Sequence, residues 1–364
     1  MKKILIVVGT RPNFIKITQL PRVLKEHSDK FEYKIVHTGQ HYDKKMSDVF
    51  FQQFGVMPDI FLETKSTSLD DQMNSIQVEL EKEMKKYDPD LVVVVGDVNS
   101  TAIAAQAAQK MNIKVAHIEG GLRSFDLSMP EEHNRIIADT ISELFFVTEQ
   151  SGVDNLIKEG KKKENIFFVG NRMIDTMIAF EEKIAQSDVL KKLDIEKEKF
   201  ALMTMHRPAT VDSKDGLNKL LELLLLVAEK YKIVFPIHPR TVKNLKNFGL
   251  FEKLSSNKNL ILTEPLDYFS FQKLIKGCKF ILTDSGGIQE ESTYLKIPCI
   301  TLRPNTERPS TVILGTNELM PFDLYLIQKT IADIEVGKFK KGTIPPFWDG
   351  KATERIVNIL LEKL

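Results

Sequence analysis

Two groups of charged residues carry most of the chemistry this sequence offers. The first is acidic. Asp97 stands in Gly96-Asp97-Val98-Asn99-Ser100, and Glu119 in His117-Ile118-Glu119-Gly120-Gly121-Leu122-Arg123; Glu131 and Glu132 open Glu131-Glu132-His133-Asn134-Arg135 after Pro130. Carboxylates gathered in one place repel one another and lose water, and either effect lifts a pKa into the range of general acid–base work. Capping accounts for Asp97 as well, and the helix dipole alone favours an acid such as Glu131 in a first turn after proline. The second group is basic: Met205-His206-Arg207-Pro208, His238-Pro239-Arg240 and Thr306-Glu307-Arg308-Pro309. Cations collected at one sheet edge form a receptacle for a diphosphate, and His206 is able to donate to an oxygen that becomes negative as a leaving group departs. A lone histidine after a strand also serves as a structural residue, which is the alternative for His206 and, more strongly, for His238.

Two turns are suited to phosphate. In Gly9-Thr10-Arg11-Pro12-Asn13-Phe14-Ile15-Lys16, Gly9 permits a tight turn, Pro12 fits a first helical position and Arg11 stands at the positive end of the helix. In Thr283-Asp284-Ser285-Gly286-Gly287-Ile288-Gln289-Glu290-Glu291, a serine and two glycines between strand and helix expose backbone amides to a pyrophosphate, and Glu291 is positioned to accept from ribose hydroxyls. Plain strand-to-helix turns, with Asp284-Ser285 as a cap and Glu291 at the surface, are the structural alternatives.

Other chemistries are absent. No G-x-G-x-x-G follows a strand and no G-x-x-x-x-G-K-[ST] occurs, which argues against bound NAD(P) and a P-loop, and no cofactor is expected. His37 and His41 are four apart on a strand end running into a loop, with no third ligand nearby, so no metal is expected. Cys278 and Cys299 are too few for a disulfide framework or a four-ligand zinc site, as suits reducing cytosol. Lys and Arg total 51 against 50 Asp and Glu, so bulk charge gives no reason to bind nucleic acid or an anionic membrane. The run Ile4–Val8 stops at Gly9, too short for a signal peptide, and Leu223–Ala228 falls far below the roughly 18 residues of a membrane span. A cytoplasmic location is expected.

These residues need a scaffold that gathers them. With 364 residues, two domains are the prior at about 150 residues each, and 42% hydrophobic with 28% charged excludes disorder and coiled coil. Short β-branched runs alternate with amphipathic segments: Ile4–Val8, Tyr33–His37, Leu91–Val95, Lys114–Ile118, Leu144–Val147 and Ile166–Val169, then Phe200–Met205, Ile233–Ile237, Leu260–Thr263, Phe280–Thr283 and Cys299–Leu302. Continuous Val/Ile runs indicate strands covered on both faces, hence two doubly wound parallel α/β sheets. The boundary is expected between Gly170 and Lys199, giving domains 1–170 and 171–351. The final helix, 352–364, follows Pro345-Pro346-Phe347-Trp348 and is expected to pack back on the first domain. In such sheets ligands bind beyond the carboxyl ends of the strands, where all these clusters fall.

Taken in order, Gly9-Thr10-Arg11-Pro12, Gly96-Asp97, His117 to Arg123, Pro130 to Arg135, His206-Arg207, Thr283 to Glu291, Thr306 to Pro309 and Trp348-Asp349-Gly350-Lys351-Ala352 resemble the non-hydrolysing UDP-N-acetylglucosamine 2-epimerases over nearly the whole chain. The resemblance implies a GT-B fold of two Rossmann-like domains facing a central cleft, a homodimer, and inversion at C2 of UDP-N-acetylglucosamine to UDP-N-acetylmannosamine for surface polysaccharides. It implies elimination of UDP to a 2-acetamidoglucal and re-addition after protonation on the other face, without NAD. On matching positions, Asp97, Glu119 and Glu131 would be the acid/base set, and His206 would assist UDP departure. Arg11, Ser285, Gly286 and Gly287 would hold phosphate, Glu291 ribose, and Tyr268 and Phe271 would lie near the uridine. Lys16, Arg135, His238 and Arg308 complete the expected substrate-binding set. Many bacterial members carry Arg-Arg-Glu-Asn after the histidine matching His206, part of it in a regulatory substrate site. This chain reads Arg207-Pro208-Ala209-Thr210-Val211, although Gln40-His41 of the same region is present. Phe14 in Asn13-Phe14-Ile15-Lys16 is more similar to relatives acting on UDP-2,3-diacetamido-glucuronate or UDP-6-deoxy sugars. A GT-B glycosyltransferase and a catalytically silent nucleotide-sugar sensor are the competing readings.

Overall fold

The computed structural model describes residues 1–40, 50–64 and 68–364. The chain divides into two units, Met1–Ala179 with Pro346–Leu364, and Phe180–Pro345. Among the described residues the first unit holds seven parallel strands: β1 (Lys2–Val8), β2 (Phe31–His37), β3 (Ile60–Phe61), β4 (Leu91–Val95), β5 (Lys114–Ile118), β6 (Leu144–Val147) and β7 (Ile166–Phe168). Their order is β3-β2-β1-β4-β5-β6-β7. The second unit holds β8 (Phe200–Thr204), β9 (Lys232–Pro236), β10 (Leu260–Thr263), β11 (Phe280–Thr283), β12 (Cys299–Leu302) and β13 (Asn317–Met320), also all parallel, ordered β10-β9-β8-β11-β12-β13. The direction of winding therefore reverses between β1 and β4 in one sheet and between β8 and β11 in the other. Doubly wound sheets open a crevice at such a reversal.

Side chains alternate across a strand, so a strand buried on both faces feeds two cores. In the second unit Ala201, Met203, Ile233, Phe235, Phe280, Leu282 and Ile300 join one apolar cluster, while Phe200, Leu202, Val234, Ile281 and Cys299 join the other. The run Leu223–Ala228 is part of the helix Lys214–Ala228, begun by Ser213, whose side chain accepts from the Gly216 amide at 3.0 Å. Its leucines cover the sheet. No described helix is long and apolar enough to cross a membrane. Both cysteines are free and buried.

The units part at Ala179/Phe180 and at Pro345/Pro346, later than the boundary at 170 and earlier than the one at 351 drawn from the sequence. Hydrogen bonds explain why. In the segment after Gly170, Thr176 donates to the Ile15 carbonyl at 2.7 Å, and the Asp175 carboxylate accepts from the Ala352 amide (3.1 Å) and from the Thr353 amide and hydroxyl (both 2.6 Å). That carboxylate caps the last helix, Ala352–Lys363. Trp348 is buried and donates Nε1–H to the Thr148 carbonyl at 3.1 Å. Gly170, at φ +96°, lies so close to this segment that a Cβ would stand 1.9 Å from the Phe347 carbonyl oxygen. Trp348→Ala is expected to cost the first unit about 3–5 kcal/mol, with Trp348→Phe losing less, as measured by urea denaturation.

Candidate active site

In the first unit, side chains at the carboxyl ends of β1, β4 and β5 interlock. Gly9 follows β1 because a Cβ there would meet the Ser100 hydroxyl at 2.2 Å. Thr10 Oγ1 donates to Asn13 Oδ1 (2.6 Å) and Asn13 Nδ2 to the Val95 carbonyl (2.7 Å), so the turn after β1 is tied to the end of β4. That tie sets the short helix Arg11–Ile15 and, after it, Lys16. Lys16 Nζ reaches Glu119 Oε2 at 2.6 Å, and Arg172 Nη2 stands 3.6 Å from Oε1; all three side chains are almost wholly buried. Glu119 is itself at φ +72°, a left-handed turn directly after β5. One position before the end of β5, His117 contacts Asp139 Oδ1 at 2.7 Å and the Gly96 carbonyl at 2.8 Å, and Asp139 also receives the Gly121 amide and Arg123. Burial alone would raise the Asp139 pKa; His117 and Arg123 outweigh it and hold the group below its ordinary value.

A second ion pair lies alongside. Arg135 spans Asp97 and Glu132, with Nη1 2.7 Å from the latter. Asn134, its neighbour on the helix Pro130–Ile141, donates to the Asp97 carbonyl (2.9 Å) and to Asn99 Oδ1 (3.0 Å). Adjacent glutamates diverge here. Glu132 is buried and accepts from the Ser124 amide and hydroxyl and the Phe125 amide, whereas Glu131 is exposed in the first turn. Glu131 precedes Arg135 by four residues and shares its helix face.

Arg11 is partly exposed, its guanidinium 5.8 Å from the Phe50 ring centre, and Phe14 is buried against Phe50 and Phe51. His37 Nδ1 accepts from the Gly39 amide, and burial lowers that ring's pKa to about 4. His41 lies outside the described residues. No group of three or more His, Cys, Asp or Glu among the described residues is arranged to hold a metal.

In the second unit, the carboxyl ends of β8 and β11 meet at the sheet's reversal. Asp284, buried directly after β11, accepts the amides of His206 (3.0 Å) and Arg207 (2.8 Å) through Oδ2, while Oδ1 lies 2.9 Å from His206 Nδ1. Burial would raise its pKa, but the contacts with His206 and Arg207 lower it. His238, exposed after β9, accepts the Arg240 amide on Nδ1 at 3.2 Å. Ser285 precedes the helix Gly286–Leu295 without capping it by its side chain, and a Cβ on Gly287 would meet nothing within 4 Å. The first-turn amides of that helix are thus approachable by an anion. A Cβ on Gly286 would instead stand 2.6 Å from Glu307 Oε1.

Arg308, buried, is held by Glu307 and by Glu290 (Nε to Oε2, 2.8 Å), and Arg303 lies 3.0 Å from Glu307. Glu291 is buried and accepts from Gln272 Nε2. Burial, with the neighbouring charge of Glu290, pushes its pKa up to about 8 against the Gln272 hydrogen bond. Tyr268 is buried in reach of the Glu291 charge, and burial raises its hydroxyl pKa well above the ordinary value. Phe271 packs against the apolar cluster of Val189, Leu274 and Ile288. Sequence reasoning did not single out Arg172, Asp284 as a partner of His206, or the carboxylates of Glu290 and Glu307. Asp284 carries a signal, an acid at the end of the strand beside the histidine's own; Arg172 carries none.

The family model for UDP-N-acetylglucosamine 2-epimerase matches residues 22–361. The chain is 41% identical to a UDP-N-acetylglucosamine 2-epimerase of Methanocaldococcus jannaschii, over 98% of each chain. It is 34% identical to a UDP-2,3-diacetamido-2,3-dideoxy-D-glucuronate 2-epimerase of Pseudomonas aeruginosa, over 98% of this chain and 99% of that one. The crystal structure of the M. jannaschii UDP-GlcNAc 2-epimerase in complex with UDP-GlcNAc and UDP superposes with a TM-score of 0.89, at 40% identity and 99% coverage of both chains.

A raised carboxyl pKa in the fold stabilises the protonated form. The Glu291 contribution is present below its ordinary value of 4.5 and is lost as pH rises through about 8. Glu291→Gln is expected to gain stability relative to the parent protein by a few kcal/mol between pH 5 and 9, read from paired urea midpoints at each pH.

Proposed function

Because the chain belongs to the UDP-N-acetylglucosamine 2-epimerase family, we propose that it inverts C2 of UDP-N-acetylglucosamine to give UDP-N-acetylmannosamine. Its two parallel α/β sheets are those of the GT-B fold. The reaction proposed is anti elimination. A carboxylate takes the C2 proton, the C1–O bond breaks with its electron pair leaving on UDP, and a 2-acetamidoglucal remains. A proton delivered to the other face of C2 and return of UDP to C1 complete the inversion, with no net change in oxidation state. Surface polysaccharide synthesis is the use we infer for the product. The same reading carries a cytoplasmic homodimer, and sedimentation as a monomer at working concentration would remove the dimer from it.

The observation that supports this reading best is the pair of ion clusters, Lys16–Glu119–Arg172 and Asp97–Arg135, at the reversal of one sheet. Lys16 and Arg172 hold Glu119 in place as a proton-transfer group, and Arg135 does the same for Asp97. Glu131, on the exposed first turn, joins them as the third member. In the second unit the first-turn amides of Gly286 and Gly287, with the Ser285 hydroxyl before them, and the Arg308 cluster suit the diphosphate, and Arg11 is assigned to phosphate. His206 suits the departing oxygen. Glu291, protonated at neutral pH, can both donate to and accept from ribose hydroxyls. Tyr268 and Phe271 are assigned to the uridine side, and His238 to the substrate-binding set.

A second substrate deserves its own arm of the experiment, because a relative named for UDP-2,3-diacetamido-2,3-dideoxy-D-glucuronate is also similar over the full length. NMR of each UDP-sugar incubated in heavy water, without acceptor, is expected to show C2 inversion with deuterium gained at C2. Retention of the C2 hydrogen, or sugar transfer that requires an acceptor, overturns the reading. Glu119→Gln and Glu131→Gln are each expected to lower kcat by about 10²-fold or more with UDP affinity nearly intact, measured by turnover and calorimetry.

A further inference from the structure

We propose that Asp284 is the positioning residue of His206, and that its carboxylate fixes which ring nitrogen is presented to the departing diphosphate. The proposal rests on the epimerase reading for its chemistry and on the second unit alone for its geometry. Strands β8 and β11 pair in register, Thr204 beside Thr283, so the residues just beyond them meet side by side. Two backbone amides, of His206 and Arg207, clamp Oδ2, so the carboxylate is held against rotation with Oδ1 2.9 Å from Nδ1. An ionised carboxylate only accepts, so Nδ1 carries a proton and Nε2 becomes the nitrogen available to a ligand. The carboxylate is buried while half of the His206 side chain is exposed, so the support faces inward and the working end outward.

The neighbouring histidine is wired the opposite way. His238 Nδ1 accepts the Arg240 amide, so its proton sits on Nε2. Burial, then the charges of His206 and Arg240, lower its pKa. As the C1–O bond breaks, the imidazolium form of His206 donates its second proton, on Nε2, to the oxygen that gains charge, while Nδ1–H stays against the Asp284 carboxylate. An orienting acid of this kind acts through the ring it holds.

Asp284→Asn keeps the amide clamp through its oxygen but presents an uncharged NH₂ to Nδ1, which removes the carboxylate that pairs with the imidazolium. It is expected to lower kcat by about 10²-fold with UDP affinity within about threefold, and to change kcat less than about threefold in a His206→Ala background. An undiminished kcat, or equal losses in both backgrounds, overturns the proposal. Nitrogen-15 NMR of the unaltered protein settles the matter even where the variant does not fold: Nδ1 protonated on His206 and unprotonated on His238 is expected, and an unprotonated Nδ1 on His206 overturns it. This readout needs no substrate. A protein that fails to exchange the C2 hydrogen yet shows the expected tautomers retains the dyad and loses the epimerase reading.

Discussion

Charge withdrawn from water governs both ends of this molecule's chemistry. A buried carboxylate must find cations and donors, or keep its proton. Glu119 takes the first course between Lys16 and Arg172. Lys16 is set by the Thr10–Asn13–Val95 tie, and that tie depends on Gly9 allowing β1 to finish against Ser100. Glu291 takes the second. Its neighbours are an amide, Gln272, and another carboxylate, Glu290, whose own cation is Arg308. Asp284 is buried as deeply, but its Oδ2 accepts two amides and its Oδ1 lies 2.9 Å from an imidazole nitrogen. Three acids under one constraint thus meet it in different ways: Glu119 by cations, Glu291 by keeping its proton and Asp284 by backbone amides.

The fold was largely legible because a strand buried on both faces must be apolar throughout. Runs such as Leu91–Val95 announce themselves. The edges did not. Strand β3 is two residues long, and β13 carries Asn317 and Glu318, so neither shows a β-branched run. The polar clusters were legible by position, since doubly wound sheets gather function beyond their strand ends.

Partnership was the part that sequence could not carry. Glu131 and Glu132 are adjacent and chemically identical, and only packing separates an exposed acid from one that pins Ser124 and Phe125. That pinning holds Phe125 at φ +59° with its ring in solvent, a conformation costly for an aromatic residue. Arg172 reaches Glu119 from a helix more than fifty residues further along, and no spacing rule links them. Asp284 reads as a cap until β8 and β11 are known to be neighbours. In each case the missing information is which strands lie side by side.

The return of Pro346–Leu364 to the first unit also orders events during synthesis. Residues 180–345 form an uninterrupted stretch and have their own sheet and cores. The earlier-made unit, by contrast, lacks Trp348 and the helix capped by Asp175 until nearly the whole chain has emerged. Although domains generally mature from the amino terminus onward, here the amino-terminal unit is built from two stretches of chain, with the whole of the second unit between them.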